Sequence, residues 1–199
     1  AAIEYFKLPT RLNAVYLTGG RQFINEAASS TYDYIVHDVF TGSSVPASLF
    51  SQSAVQQLQR ILKHDSVLAI NYMGIPNDKR TMGHVARTIG TLFAYVWCFA
   101  DGLKDQDMMS NMMFFASAKP LEFDISDDLL HIIGKHTIRG RVLGGMLSNK
   151  VDISGFVENT DLNPITALWN LLPQWQVSTA IQHWYAMHRM VSTLYWLNY

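Results

Sequence analysis

The sequence contains very little cysteine and no concentrated charge. Cys98 is the only cysteine among 199 residues, which excludes an intrachain disulfide framework and fits a reducing compartment. The 15 basic and 16 acidic residues give a formal net charge of -1, and neither sign forms a block. The sequence therefore has no electrostatic footprint for nucleic acid or for an anionic membrane surface.

Long apolar runs and targeting signals are also missing. The most apolar window, residues 89–100, is too short and too interrupted to span a bilayer. The amino terminus has no basic-then-apolar pattern of the kind found in signal peptides. We therefore expect a cytoplasmic protein with no membrane contact in this segment.

The stretch around Asp38 organises the rest of the chain. Residues 32–39 have the apolar pattern of a short strand buried on both faces, and a loop of threonine, glycine and two serines follows. A helical pattern then begins at Ser51. Asp38 thus lies at the carboxyl end of a strand, which is the edge where open parallel α/β sheets bind ligands. This pattern alone leaves two roles open for Asp38, a functional acid or a cap of the next turn.

Strands and helices alternate along the first part of the chain, and helices follow. The spacing of apolar residues predicts helices over 1–8, 21–28, 51–63 (with Ser51 as N-cap), 80–93, 127–138 and 177–197, and strands over 13–18, 32–39, 67–73, 95–100 and 112–116. A glycine-rich stretch is expected over 140–145, with a polar loop after it. The last two strands are joined by a short polar loop, so we expect them to pair antiparallel.

This order of elements predicts an α/β fold. By analogy it is the C-terminal half of a Rossmann-like sheet of the class I methyltransferase type, with an added α-helical C-terminal region. We expect a partial Rossmann-like domain over residues 1–120 and a helical extension over 121–199 that packs on it. The chain has no glycine-rich turn between a strand and a helix to hold a nucleotide. We therefore expect this chain alone to be inactive, and a homo-oligomer or a partner segment to complete the sheet.

A family resemblance is carried by two consecutive segments. YDYIVHDVFTGSSVPASLF and then LQRILKHDSVLAINYMG resemble the polyamine aminopropyltransferases, which include the spermidine and spermine synthases. That family shares a Tyr-Asp pair, an apolar strand, an acid, a gatekeeping loop with proline, and Leu-Phe. The GGRQFI segment that starts at Gly19 resembles the family's Asp-Gly-x-x-Phe turn. The resemblance covers most of residues 1–120.

The resemblance implies a donor, an acceptor and a set of site residues. The donor would be S-adenosylmethionine or its decarboxylated form, the acceptor a small-molecule amine, and no metal would take part. Asp38 would be the catalytic residue, because an acid at this position can accept or orient the proton of the attacking amine. The implied donor-binding residues are Gly19, Gly20, Asp38, Val39 and Pro46, and the implied acceptor-binding residues are Thr41, Asn71, Tyr72, Asp101 and Asp105.

Two departures from the family pattern keep the reaction open. Thr41 stands where the synthases have a second acid, and Gly19 stands where their turn has an aspartate. Asp101, Asp105 and Asp107 could replace the missing acid or be solvated loop carboxylates. Three functions therefore remain: aminopropyl transfer to an amine, methyl transfer from S-adenosylmethionine on the same fold, and a non-catalytic binding or assembly module.

The histidines do not suggest a metal site. The two nearby pairs, His131 with His136 and His183 with His188, are each five residues apart, which is off the face that a helical zinc pair needs. His37 is adjacent to Asp38, and adjacent residues of a strand point to opposite faces. We therefore expect His37 to pack against a helix rather than to act as a base.

Overall fold

The structure is a computed structural model that describes residues 15–39, 47–101, 107–123, 125–134 and 136–165, together with Ile181 and Tyr185. The strands are β1 (Tyr32–His37), β2 (Leu62–Gly74), β3 (Tyr95–Ala100), β4 (Ser110–Ser117) and β5 (Lys150–Val151). The helices are α1 (Gly20–Glu26), α2 (Ala47–Phe50), α3 (Gln52–Ile61), α4 (Met82–Gly90), α5 (Asp127–Ile133), α6 (Ile138–Met146) and α7 (Ser154–Val157), with a 3-10 turn at Leu147–Asn149.

The strands form one mixed sheet in the order β1-β2-β4-β3-β5. β1 and β2 are parallel, while β4 runs antiparallel to both β2 and β3. This confirms the α/β class and the antiparallel pairing predicted for the last two strands. The helix predicted after Asp38 is confirmed as α3, and Ser51 caps it by accepting a hydrogen bond from the backbone N–H of Ala54.

One face of the sheet is closed by helices and contains the core. Side chains alternate along a strand, so Leu68, Ile70 and Tyr72 of β2 lie on this face, and all three are buried. They join the apolar faces of α3 and α4 in one continuous cluster. Burial of this apolar surface is the main stabilising contribution that the sheet and helices share.

The other face of the sheet is only partly covered. Over β3 and β4 the ring of Phe123 packs on Trp97, Phe99 and Phe115, with ring centroids 5.0, 5.2 and 5.1 Å apart respectively. Over β1 the side chains of Tyr34 and Val36 are 75% and 68% exposed. The prediction that this strand is buried on both faces was therefore wrong. Among the described residues β1 is the edge strand, and none of the described elements covers these two side chains.

Two further predictions are corrected. Val15 to Thr18, in the segment predicted as a strand over 13–18, is irregular, and Leu17 is 98% exposed. A strand needs a neighbour for its backbone hydrogen bonds, and among the described residues this segment has none. The helix predicted over 127–138 ends at Ile133, because Gly134 adopts a positive φ of 87°.

The glycine-rich stretch over 140–145 lies within helix α6. Thr137 caps α6 by accepting a hydrogen bond from the backbone N–H of Gly140 at 3.0 Å. A strong N-cap can start a helix even where the glycine content is unfavourable. The helix predicted over 1–8 lies outside the described residues, as does all of the helix predicted over 177–197 except Ile181 and Tyr185.

The chain after β5 packs against α4. The hydroxyl of Thr88, which is fully buried, accepts a hydrogen bond from the backbone N–H of Ile165 at 2.7 Å and donates one to the carbonyl of His84 at 2.7 Å. Gly90 lies so close to Val157 of α7 that a Cβ on the glycine would stand 2.5 Å from a Val157 methyl group. In the part of the chain that the structure describes, no helix has the length and apolar character needed to cross a membrane.

Candidate functional site

Three strands end at the same edge of the sheet. β1 and β2 are parallel, and because β2 and β3 are each antiparallel to β4, β3 runs in the same direction as β2. Asp38 follows β1, Asn71 lies near the end of β2, and Asp101 follows β3. The carboxyl ends of parallel strands are the usual place for a ligand in open α/β sheets. This edge of the sheet is therefore the candidate site.

Asp38 and Asn71 form a polar pair on the partly covered face. The pairing of His37 with Ile70 puts the next residue of each strand side by side, and the Nδ2 of Asn71 donates a hydrogen bond to Oδ1 of Asp38 at 2.8 Å. Asp38 is exposed, while Asn71 is half-buried. The Oδ1 atom of Asn71 is buried and has no hydrogen-bond partner among the described residues. The pair thus combines an exposed carboxylate on one strand with a buried, unpaired amide oxygen on the next.

His37 lies beneath this pair, on the face that the helices cover. Its imidazole is 6% exposed and meets Phe50 edge-on, which confirms the prediction that His37 packs against a helix. Neither ring nitrogen has a hydrogen-bond partner within the described chain. Burial lowers the pKa of His37 below its ordinary value, although the nearby Asp38 carboxylate opposes the shift. The imidazole therefore favours its neutral form.

An apolar cavity of about 310 Å³ adjoins the end of β1. Two of the residues predicted to bind the donor, Gly20 and Val39, line it together with Ile24 and Leu49. Gly19 is the N-cap residue of α1, and a Cβ at Gly19 would meet no atom within 4 Å. The cavity therefore has an apolar wall from α1 and α2, and Asp38 is not among the described residues that line it.

The other predicted site residues do not join the pair. Tyr72 lies on the opposite face of the sheet, where its side chain is 1% exposed and belongs to the core. Asp101 follows β3, three strand spacings from β1, which is roughly 14 Å at about 4.8 Å per spacing. Thr41, Pro46 and Asp105 lie outside the described residues.

A second set of polar residues lies at this edge, and two of its members, Asn77 and Asp78, were not predicted from the sequence. Asn77, in the loop after β2, donates a hydrogen bond to Oδ1 of Asp107 at 3.3 Å. Asp78 accepts hydrogen bonds from the backbone N–H groups of Arg80 and Thr81 at 3.0 and 3.1 Å, just before α4 begins. Asp78 has the local signature of a turn residue before a helix, whereas the contact between Asn77 and Asp107 has no sequence signal. Within the described chain, no three histidine, cysteine or acidic side chains cluster as metal ligands do.

Comparison with known proteins identifies similar folds. No protein family model matches the chain. A curated relative, the N-terminal histidine N-methyltransferase of Emericella nidulans, is 26% identical over an alignment of 212 positions, gaps included, that covers 98% of this chain and 37% of the relative. The chain thus spans little more than a third of the length of that relative.

Solved structures with a similar fold are described as spermidine synthases. The crystal structure of a probable spermidine synthase from Corynebacterium glutamicum aligns with a TM-score of 0.56 at 19% identity, covering 77% of this chain and 55% of that chain. A spermidine synthase in complex with the transition state analogue AdoDATO aligns with a TM-score of 0.45 at 16% identity, over 67% of this chain and 51% of that chain. The chain has the Rossmann-like α/β fold that was predicted from the order of its elements.

Proposed function

We propose that this chain carries the acceptor side of an N-methyltransferase, in which S-adenosylmethionine is the methyl donor and a nitrogen atom of an N-terminal histidine is the acceptor. The observation that carries the proposal is the match to the Emericella nidulans enzyme, which extends over 98% of this chain. Because that match runs past residue 120, it supports a common origin of the sheet and of the helical region after it.

The polar pair at the sheet edge supports a nitrogen acceptor. Asp38 and Asn71 present oxygen atoms, which accept hydrogen bonds from N–H groups. A polyamine carries at least two positive charges and is best held by two or more carboxylates. Thr41 replaces the second acid of the synthase pattern. An acceptor with a single positive charge therefore suits this edge better than a polyamine.

The described residues fit part of a nucleoside sulfonium donor. The apolar cavity at the end of β1, whose lining includes Gly20, Ile24, Val39 and Leu49, has the size and character to take a nucleobase. Among the described residues no glycine-rich turn stands between a strand and a helix to hold the ribose and the amino acid portion. The donor, when bound, supplies an electrophilic methyl group. Residues of this chain would hold the base and orient the acceptor.

Aminopropyl transfer is the second candidate, and a specific observation favours it. Asp38 follows β1 directly, as the acid of the synthase pattern does, and Asn71 fixes its carboxylate. In that reaction the acid has to accept or orient a proton from the attacking amine, so that the nitrogen lone pair is free. A binding or assembly module without catalysis is the third possibility.

Product analysis distinguishes the three functions. The protein, purified at its native length, is incubated with S-adenosylmethionine or with the decarboxylated donor, and with a histidine-initiated peptide, putrescine or spermidine. We expect the mass of one methyl group to appear on the histidine peptide, and only with S-adenosylmethionine. A product of putrescine or spermidine with the decarboxylated donor would replace our proposal with aminopropyl transfer. No product with any pair, from a folded protein, would favour the binding module.

A further inference from the structure

We infer that Asp38 and Asn71 together recognise the two N–H groups of an N-terminal histidine, and that Asn71 is the residue that selects for the free chain terminus. The inference rests on the proposed function and assigns each oxygen of the pair to one nitrogen of the acceptor. Asp38 accepts a hydrogen bond from the ring Nδ1–H. The Oδ1 of Asn71 accepts one from the terminal ammonium group.

The orientation of the Asn71 amide is fixed by its partner. A carboxylate has no proton to donate, so the group of Asn71 that faces Oδ1 of Asp38 at 2.8 Å has to be the Nδ2 amine. The carbonyl end of the amide, Oδ1, is consequently the end that stays without a partner among the described residues, and it is buried. Buried acceptors are almost always satisfied in folded proteins. The atom has almost no surface open to solvent, so a ligand that brings an N–H group to it would satisfy it after displacing its immediate surroundings.

The acceptor has matching chemistry. In an N-terminal histidine the terminal nitrogen and Nδ1 are joined through only three carbon atoms, so both can point to the same side of the residue. Two oxygens carried by neighbouring side chains can therefore bind both nitrogens at once. A histidine within a chain has an uncharged amide in place of the ammonium group. The second hydrogen bond would then lose its charge assistance.

This arrangement leaves the other ring nitrogen free to react. With the proton held on Nδ1 by Asp38, the lone pair lies on Nε2, which points away from the pair. The lone pair of Nε2 forms the new N–CH₃ bond as the S–CH₃ bond of the sulfonium breaks, and the electrons of the broken bond stay on sulfur. The positive charge that develops on the imidazole ring is stabilised by the Asp38 carboxylate. The Nδ1 proton then leaves to Asp38 or to water.

Asn71 is thus a recognition and positioning residue, and Asp38 contacts the reacting ring. Three peptides of one sequence separate these roles: one with a free N-terminal histidine, one with that histidine acetylated, and one with an alanine added before it. With the native-length protein we expect acetylation or extension to lower kcat/KM by about tenfold or more, mainly through KM. Calorimetric binding of the same peptides without donor should give the same order.

Variants of Asn71 test the assignment directly. In Asn71→Leu, which keeps the branched shape but removes both polar groups, the preference for the free over the acetylated peptide should fall to within about threefold. Asn71→Asp restores an acceptor oxygen and should restore the preference. Asp38→Asn should slow all peptides and keep the preference. Asn25→Ala, on the exposed side of α1, is the control and should behave as the native protein.

The outcomes separate this inference from the proposed function. If the native protein methylates the histidine peptide but accepts the acetylated form equally well, the inference fails and the proposed function stands. Full preference for the free terminus in Asn71→Leu, with an unchanged melting temperature, overturns it in the same way. If the native protein methylates no histidine peptide, both fail.

Discussion

The imidazole of His37 meets the ring of Phe50 at 85°, with the two ring centroids 4.8 Å apart. This contact holds α2 against the end of β1, directly beneath the carboxylate of Asp38. It also places a titratable group in an apolar environment, where the charged form is disfavoured. Stability near the candidate site should therefore respond to pH in a defined direction.

We expect the free energy of unfolding to fall as the pH is lowered below 6.5, the ordinary pKa of histidine. Above that value His37 is neutral in both states and contributes nothing. Below it the unfolded chain binds a proton at this histidine more readily than the folded chain does. The free energy of unfolding then falls by up to about 1.4 kcal/mol per pH unit. Urea unfolding from pH 5 to 8 measures this component.

His37→Phe should remove the component, because the variant has no proton to bind at this position. His64→Gln is the matched control, since His64 is exposed and its replacement leaves the buried imidazole in place. An identical pH dependence for His37→Phe and the native chain would mean that His37 is protonated as readily in the folded state as in the unfolded state.

Loss of the buried hydroxyl of Thr88 should lower the free energy of unfolding. Thr88→Val keeps the shape of the side chain but leaves the backbone N–H of Ile165 without its partner. An unsatisfied buried donor costs about 1 to 3 kcal/mol, and thermal or urea unfolding should detect a loss of this size. Thr91 is an exposed residue whose hydroxyl donates a hydrogen bond to the carbonyl of Thr88. Thr91→Val removes this bond near the surface and should stay within about 0.5 kcal/mol of the native chain. Equal losses for both variants would contradict the role given to the Thr88 bond.

A methyl group at Gly90 should disturb the packing of α4 on α7. Gly90→Ala places a Cβ 2.5 Å from a methyl group of Val157, so one helix has to move, at a cost of about 1 to 3 kcal/mol. Gly155→Ala is the matched control, because a Cβ there meets nothing within 4 Å and alanine favours a helix over glycine by about 1 kcal/mol. We expect the two variants to shift the urea midpoint in opposite directions. A higher urea midpoint for Gly90→Ala would show that α4 and α7 can accommodate the extra methyl group without strain.

The open face of β1 should promote association of the isolated 199-residue chain. Val36 is 68% exposed on an edge strand, and an exposed apolar edge is a template for pairing with another chain. Val36→Lys should lower the light scattering of the concentrated chain. Ile132→Lys changes a side chain of α5 that is 82% exposed and should have little effect, because no strand edge is involved. If both lysine variants lowered the light scattering equally, the cause would be a general gain in solubility and not the loss of pairing at the β1 edge.

The position of Asp38 could be predicted from sequence, whereas its partner could not. An apolar run followed by an acid and a loop fixes Asp38 at a strand end through local rules alone. Its bond to Asn71 joins residues 33 positions apart and depends on the register of two strands, which local patterns do not specify. The resemblance to a known family placed Asn71 among the predicted site residues, but it placed Tyr72 there as well. Only the alternation of faces along β2 separates the two.

The exposure of β1 was missed for a different reason. Tyr34 and Val36 are residue types typical of a strand that is covered on both faces. Residue type indicates that a side chain can be buried, but it does not show whether another element packs on it. The end of the helix at Gly134 was missed because helical spacing continues past it. The break depends on a backbone conformation with positive φ, which glycine permits but does not require.

The parallel pairing of β1 with β2 makes the site sensitive to changes in length. His37 and Asp38 have opposite surroundings only because they are neighbours on a strand, one facing Phe50 and the other facing Asn71. Losing or gaining a single residue within β1 would turn the carboxylate towards the core and the imidazole towards the open face. Changes of two residues would keep the faces but shift Asp38 along β2. Insertions and deletions in this strand should therefore be rarer among functional homologues than substitutions.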